Sequence, residues 1–198
     1  RAVVPREAIP NTSDRIDLYK VDCLLFNMRR YDTPPIGRLV SPEQAAAYFM
    51  LGESTITSAD DPSRVGQAKR VVGFDPFVID NPHINGNRLL RILRDNPGIR
   101  CYLLNTGRVG GKDGANITVE ATTTAVREAM RETLEWRYDD ILGYEIPSSL
   151  PVPQGEDLDP YRWYSREEYA SMIGDLRRER REYLQQFKGL APEIVDGV

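Results

Sequence analysis

The chemistry this sequence could carry is concentrated in one stretch, Asn105-Thr106-Gly107-Arg108-Val109-Gly110-Gly111-Lys112-Asp113-Gly114. Glycines at 107, 110, 111 and 114 let the backbone approach a ligand closely. Successive N–H groups in such a turn can hold an anion or lie against a nucleotide base. The stretch fails the phosphate-loop pattern: Gly111-Lys112 is followed by Asp113, and the earlier glycine would fall at Thr106. It also fails the dinucleotide fingerprint, whose spacing differs and which needs a helix where residues 116–119 read as a strand. A plain glycine-rich turn between two strands explains these residues as well as a ligand loop does.

Other candidates are weaker. His83 is the sole histidine, so a site built on several histidines is excluded within this chain. Its neighbours Asn81, Pro82 and Asn85 suggest an exposed turn. Cys23 and Cys101 lie in apolar runs and read as buried free thiols of a cytoplasmic protein, with no Cys/His or Ser/His/Asp arrangement to activate them. The acidic pairs Asp60-Asp61, Asp139-Asp140 and Glu156-Asp157 read as solvated surface. The mixed-sign run from Arg177 to Glu182 reads as a solvated or partner-facing helix side. A net charge of −4 gives no nucleic-acid footprint, and no apolar run reaches the roughly 18 residues of a membrane span. The chain opens on Arg1 and its four methionines are internal, so the true start of the protein is expected to lie upstream.

The elements that must position these residues follow from pattern. Residues 1–20 read as an arm without periodicity. Residues 21–145 form an α/β core, with α+β the alternative. Within it, 21–26 is a buried strand, and Pro34, Pro35 and Gly37 forbid a helix or central strand over 31–38. Ser41, Pro42 and Gln44 open a buried helix that Gly52 ends. Residues 53–72, polar and broken by Pro62 and Gly66, are too long for a plain connection and read as a mobile lid-like loop. A helix over about 85–95 leads to a buried strand at 101–104 and the glycine stretch. Thr122 can cap the next helix. Residues 146–163 are proline-rich and loop-like. A long amphipathic helix then starts at Ser165 with Glu168 closing its capping box, its stripe running from Tyr169 to Phe187.

Four segments in this order resemble the C-terminal part of ATP-dependent phosphoenolpyruvate carboxykinase. They are Pro34-Pro35-Ile36-Gly37-Arg38-Leu39 before the capped helix, Gly73-Phe74-Asp75-Pro76-Phe77, Leu104-Asn105-Thr106-Gly107 with Gly110-Gly111, and Leu158-Asp159-Pro160 near Trp163. Together they span roughly residues 20–188. The variant from Asn105 to Gly111 is also similar to that of a bacterial family related to the carboxykinases.

The resemblance implies a mixed sheet with flanking helices and phosphoryl transfer from ATP to oxaloacetate with decarboxylation. This part would supply the adenosine-side wall and a lid that includes Arg64 and Gly66. The phosphate loop, metal ligands and oxaloacetate-binding arginines would lie upstream, so no catalytic or metal-ligating residue is expected here. ATP and a divalent metal, Mg or Mn, are implied for the intact protein, with the N-terminal half of the same protein as partner. Carried over by residue, Asn116, Ile117, Thr122, Gly107, Gly110 and Gly111 would face the nucleotide. Ile117 and Thr122 match the family; Asn116 replaces an arginine, Ala115 a lysine and Arg108 a tryptophan. The alternative is a relative that kept the fold as a nucleotide- or partner-binding module without the reaction. Either way the chain alone is expected to be inactive.

Overall fold

The computed structural model describes residues 3–10, 12, 13, 15, 17–56, 58, 60–74 and 81–198. In chain order the elements are β1 (Cys23–Met28), β2 (Ile36–Arg38), α1 (Pro42–Leu51), β3 (Glu53–Thr55), β4 (Ala68–Arg70), α2 (Pro82–Asp95), β5 (Arg100–Asn105), β6 (Arg108–Val109), β7 (Ala115–Asn116), α3 (Val119–Met130), β8 (Trp136–Asp139), β9 (Tyr144–Pro147), α4 (Arg166–Gln185) and α5 (Pro192–Val195).

The main sheet has the order β1-β5-β2-β9-β8. Only β1 and β5 run parallel, in a register that pairs Cys23 with Arg100 and Met28 with Asn105. The other three pairings are antiparallel. Successive side chains of a strand point to opposite faces, and β5 uses both. Cys101 and Leu103 join a core with α1, α2, α4 and α5, while Tyr102 and Leu104 join a second core with α3. The result is the expected α/β class, a mixed sheet flanked by helices.

Local signals explain the helix ends. The Ser41 hydroxyl accepts from the Gln44 N–H (3.1 Å), and Gly52 closes α1 at φ 48°. Gln44 closes no box with Ser41. Its Oε1 accepts from Val40 N–H and its Nε2 donates to the Gly143 carbonyl, tying α1 to the β8–β9 turn. Around α1, residues 44–48, 50 and 51 are buried, as an all-round apolar helix requires. In α4 the box of Ser165 and Glu168 is complete. Tyr169, Ile173, Leu176 and Leu184 are buried in its stripe.

Several expectations need correction. Ile36–Arg38 is the central strand despite its prolines, because Pro34 and Pro35 precede it and need supply no N–H to the ladder. The Pro35 carbonyl still accepts from Asn105 (2.8 Å). Gly37 is required where it stands, since a Cβ there would come 2.5 Å from Tyr144 Cε2. His83 lies half-buried in the first turn of α2, which starts at Pro82 and not near 85. Thr118, not Thr122, caps α3, its hydroxyl accepting from Ala121 N–H (3.1 Å). The strand expected over 116–119 is therefore only β7, at Ala115–Asn116. The loop-like span from 146 opens in β9, which pairs in a hairpin with β8.

The polar segment 53–72 holds the β3–β4 hairpin, whose base is buried at Glu53, Thr55 and Ile56. Two charges expected on the surface are buried as well. Asp139 accepts from Leu142 N–H and the Tyr161 hydroxyl, and Arg180 is 2% exposed. Of the segment 73–77 that carries part of the family resemblance, residues 75–77 lie outside the described residues.

Candidate functional site

Parallel strands bring their following residues to the same sheet edge, where open α/β sheets place ligands. β1 and β5 do this here: Met28 and Asn105 are register partners, so segments 29–31 and 106–111 run side by side. Thr106, Arg108 and Gly111 donate their N–H groups to the carbonyls of Met28 (3.0 Å), Arg30 (2.8 Å) and Tyr31 (2.8 Å). A Cβ at position 107 would collide with the Arg30 carbonyl oxygen, which is why glycine stands there. Asn105, fully buried, locks the corner. Its Oδ1 accepts from Arg30 N–H and Gly107 N–H (both 2.9 Å), and its Nδ2 donates to the Thr33 carbonyl (2.8 Å). The N–H groups of 106, 107, 108 and 111 are thus spent inside the protein. They form no nest for an anion, as the glycine pattern had suggested.

What the corner frames is a cleft of about 540 Å³, within the usual range for small-molecule sites. Arg29 and Tyr31 line it from the end of β1. Gly107, Arg108, Gly111 and Lys112 line it from the glycine loop, Asn116 from β7, and Val65, Gly66 and Gln67 from the far end of the β3–β4 hairpin. Arg108 and Asn116 are register partners across the β6–β7 ladder. Three lining residues are cationic and none is a carboxylate. Arg108 Nη2 donates to the Gly114 carbonyl (3.1 Å), while its buried Nε finds no partner.

Of the residues expected from sequence, Gly66, Gly107, Gly111 and Asn116 meet at this cleft. The others do not line it. Gly110, at φ 89°, lies beneath the Trp163 ring, where any side chain would collide with the indole. Ile117 is buried in the α3-side core. Thr122 stands in the second turn of α3 and donates its N–H to the Thr118 carbonyl. Arg64 donates to the Gln67 side chain (3.1 Å) and so steadies a lining residue without being one. Arg29, Tyr31, Gln67 and Lys112 were missed. The first two directly follow β1, and only its parallel pairing with the strand feeding the glycine loop brings them to this edge.

Next to this cleft the same backbone carries a second charged group of a different kind. Arg180 grips Glu53 through Nε (3.0 Å) and Nη2 (2.6 Å), and donates to the Tyr48 hydroxyl (3.0 Å). Arg70 and Arg30 approach the same carboxylate at 3.3 and 3.7 Å. Arg30 also pairs with Asp32 (2.6 Å), and Arg29 N–H reaches the Glu53 carbonyl (3.3 Å). Burial alone would push the Glu53 carboxyl up; Arg180, with Arg30 and Arg70, reverses this and holds it at about 2. This cluster joins the hairpin base to α4 and to segment 29–32. Burial pushes the Cys101 thiol up to about 11, so it is no nucleophile at neutral pH. Among the described residues no three His, Cys, Asp or Glu side chains gather as a metal would require. No described helix is long and apolar enough to cross a membrane.

Fold and cleft define an α/β chain with an open, cation-lined cleft at the edge of its sheet. The chain belongs to the phosphoenolpyruvate carboxykinase family, whose model matches residues 1–155. It is 34% identical over 191 residues to the phosphoenolpyruvate carboxykinase (ATP) of Aeropyrum pernix, covering 96% of this chain and 38% of that protein. It is 31% identical over 177 residues to the phosphoenolpyruvate carboxykinase (ATP) of Rhodopseudomonas palustris strain BisA53, covering 83% of this chain and 32% of that one. The chain therefore spans about a third of the length of these relatives.

Proposed function

We propose that this chain is the nucleotide-side wall of an ATP-dependent phosphoenolpyruvate carboxykinase, and that it binds nucleotide without completing the reaction alone. The observation that carries this reading is the convergence of Gly66, Gly107, Gly111 and Asn116 on one cleft, beside the exposed ring of Tyr31. A tyrosine face can stack on a purine, and an amide such as Asn116 offers a base both a donor and an acceptor. The glycines leave room for close backbone approach. The β3–β4 hairpin would act as the lid, with Gly66 and Gln67 at the mouth.

Phosphoryl transfer depends on positioning the phosphates and neutralising their charge, commonly with metal. The described residues gather no metal-ligand set. The metal ligands, phosphate loop and oxaloacetate-binding groups would come from the remainder of the protein, its natural partner. Free thiols at Cys23 and Cys101 suit a reducing compartment such as the cytoplasm.

The test is an ATP titration of the full-length protein and of Asn116→Ala, with folding followed separately. Asn116 is exposed, so the variant should fold normally and bind ATP roughly 5- to 10-fold more weakly. A full-length protein that binds no nucleotide overturns the reading. Phosphoenolpyruvate formed from oxaloacetate and ATP by residues 1–198 alone would overturn the part that denies this wall catalysis.

A further inference from the structure

We infer that this cleft takes the phosphate chain of its ligand, so that the wall recognises a nucleoside polyphosphate by charge and not by its base alone. The inference rests on the nucleotide reading above and goes further, because the family resemblance assigns this wall to the adenosine side.

Four observations carry it. Arg29, Arg108 and Lys112 reach the cleft from three separate segments, and no carboxylate lines it. In the adjoining buried cluster, by contrast, Arg30 is paired with Asp32, Arg70 with Glu53 and Glu179, and Arg180 with Glu53. Among the described residues the three cleft cations have no such partner. Like charges held together repel one another, and in a walled cleft they raise the local concentration of anions. The Nε of Arg108 is buried and unpartnered, a state a bound acceptor would relieve if the guanidinium turned toward it. Finally, the N–H groups of 106, 107, 108 and 111 are consumed by the carbonyls of Met28, Arg30 and Tyr31 and by Asn105. Those four give an anion no cradle, and the side chains that line the cleft are of the required sign. A guanidinium offers paired donors to phosphate oxygens, and an ammonium offers a point charge.

The experiment is calorimetric titration of the full-length protein with adenosine, ATP and inorganic tripolyphosphate, repeated on Lys112→Gln, Arg108→Gln and Asn116→Ala. Lys112 is exposed and its side chain makes no hydrogen bond among the described residues, so its variant keeps the test valid even if Arg108→Gln perturbs the loop. The expected result is that Lys112→Gln weakens ATP and tripolyphosphate alike by roughly tenfold, as one charge-assisted contact warrants, and leaves adenosine unchanged. If Asn116→Ala weakens adenosine and ATP while both cation variants change nothing, the phosphate inference falls and the nucleotide reading stands. If Lys112→Gln weakens tripolyphosphate but ATP binds no tighter than tripolyphosphate, the inference stands and the nucleotide reading falls. If no variant alters any titration, both fall.

Discussion

Arg29 and Arg30 are adjacent in sequence, yet they belong to opposite electrostatic arrangements. Successive side chains of an extended segment point to opposite sides. Arg30 therefore turns to Asp32 and Glu53 in a buried cluster, while Arg29 lines the open cleft with Arg108 and Lys112. In the first group every charge has a partner. In the second none has a carboxylate partner among the described residues. A paired buried cluster is what a protein needs to hold a hairpin, a strand end and a helix together. The cleft cations take no part in that brace, and on the proposed reading they are matched by an anionic ligand. Partnering thus separates the charges of the brace from those for which a ligand is proposed.

The largest expected effect tests the paired group. Arg180→Ala leaves Glu53 buried with only the more distant Arg70 and Arg30, and removing one partner of a buried pair costs about 3–5 kcal/mol. Denaturant unfolding of the variant measures it. A loss below 1 kcal/mol would mean that the cluster is not the brace described here. The same carboxylate predicts a pH response of nearly equal size. Glu53 is held at about 2 when folded, against an ordinary carboxyl value of 4.5. A lowered folded value means stability that is fully present above the ordinary value and lost as pH falls through the folded one. About 3 kcal/mol should therefore disappear between pH 5 and pH 2. Glu53→Gln should be less stable at pH 7 and show a flatter acid limb. An acid limb as steep as that of the wild type would place the titration elsewhere.

The cleft wall is braced by neutral contacts, and here the sequence was read only in part. Buried strands, the capped helices and the glycine loop were legible because each depends on local residue types. The identity of the α3 cap was not. Thr118 and Thr122 both precede plausible helical turns, and only the β6–β7 ladder, ending at Asn116, shows that the helix starts at 119. Arg180 was hidden in a run of like-looking charges, since its burial depends on Glu53, 127 residues away. Tyr31 and Arg29 were missed because their role depends on two strands being parallel, which residue pattern alone does not state. Thr118→Ala should cost about 1 kcal/mol as a lost cap, and Thr122→Ala distinctly less. Thermal unfolding of the pair decides between them. Equal losses would mean that the cleft's far wall does not hinge on the Thr118 cap.

The smallest expected effect is the sharpest on the comparison itself. Arg29→Gln removes a charge with no carboxylate partner, so folding stability should stay within about 0.5 kcal/mol of the wild type. Relief of its repulsion with Arg108 and Lys112 can even raise stability slightly, more so at low salt where screening is weak. The same substitution one residue on, Arg30→Gln, strips a buried pair from Asp32 and loosens the charge around Glu53, so it should be plainly destabilising. Their ligand responses should run the other way. Arg29→Gln should weaken binding of a polyphosphate while leaving the fold intact. Arg30→Gln should alter binding only as far as it disturbs segment 28–31, whose carbonyls hold the glycine loop. Chemical unfolding at low and at moderate salt, paired with tripolyphosphate titration, reads both quantities on both variants. If Arg29→Gln destabilises the protein as much as Arg30→Gln does, the cleft cations are structural after all, and the division between the two groups is lost.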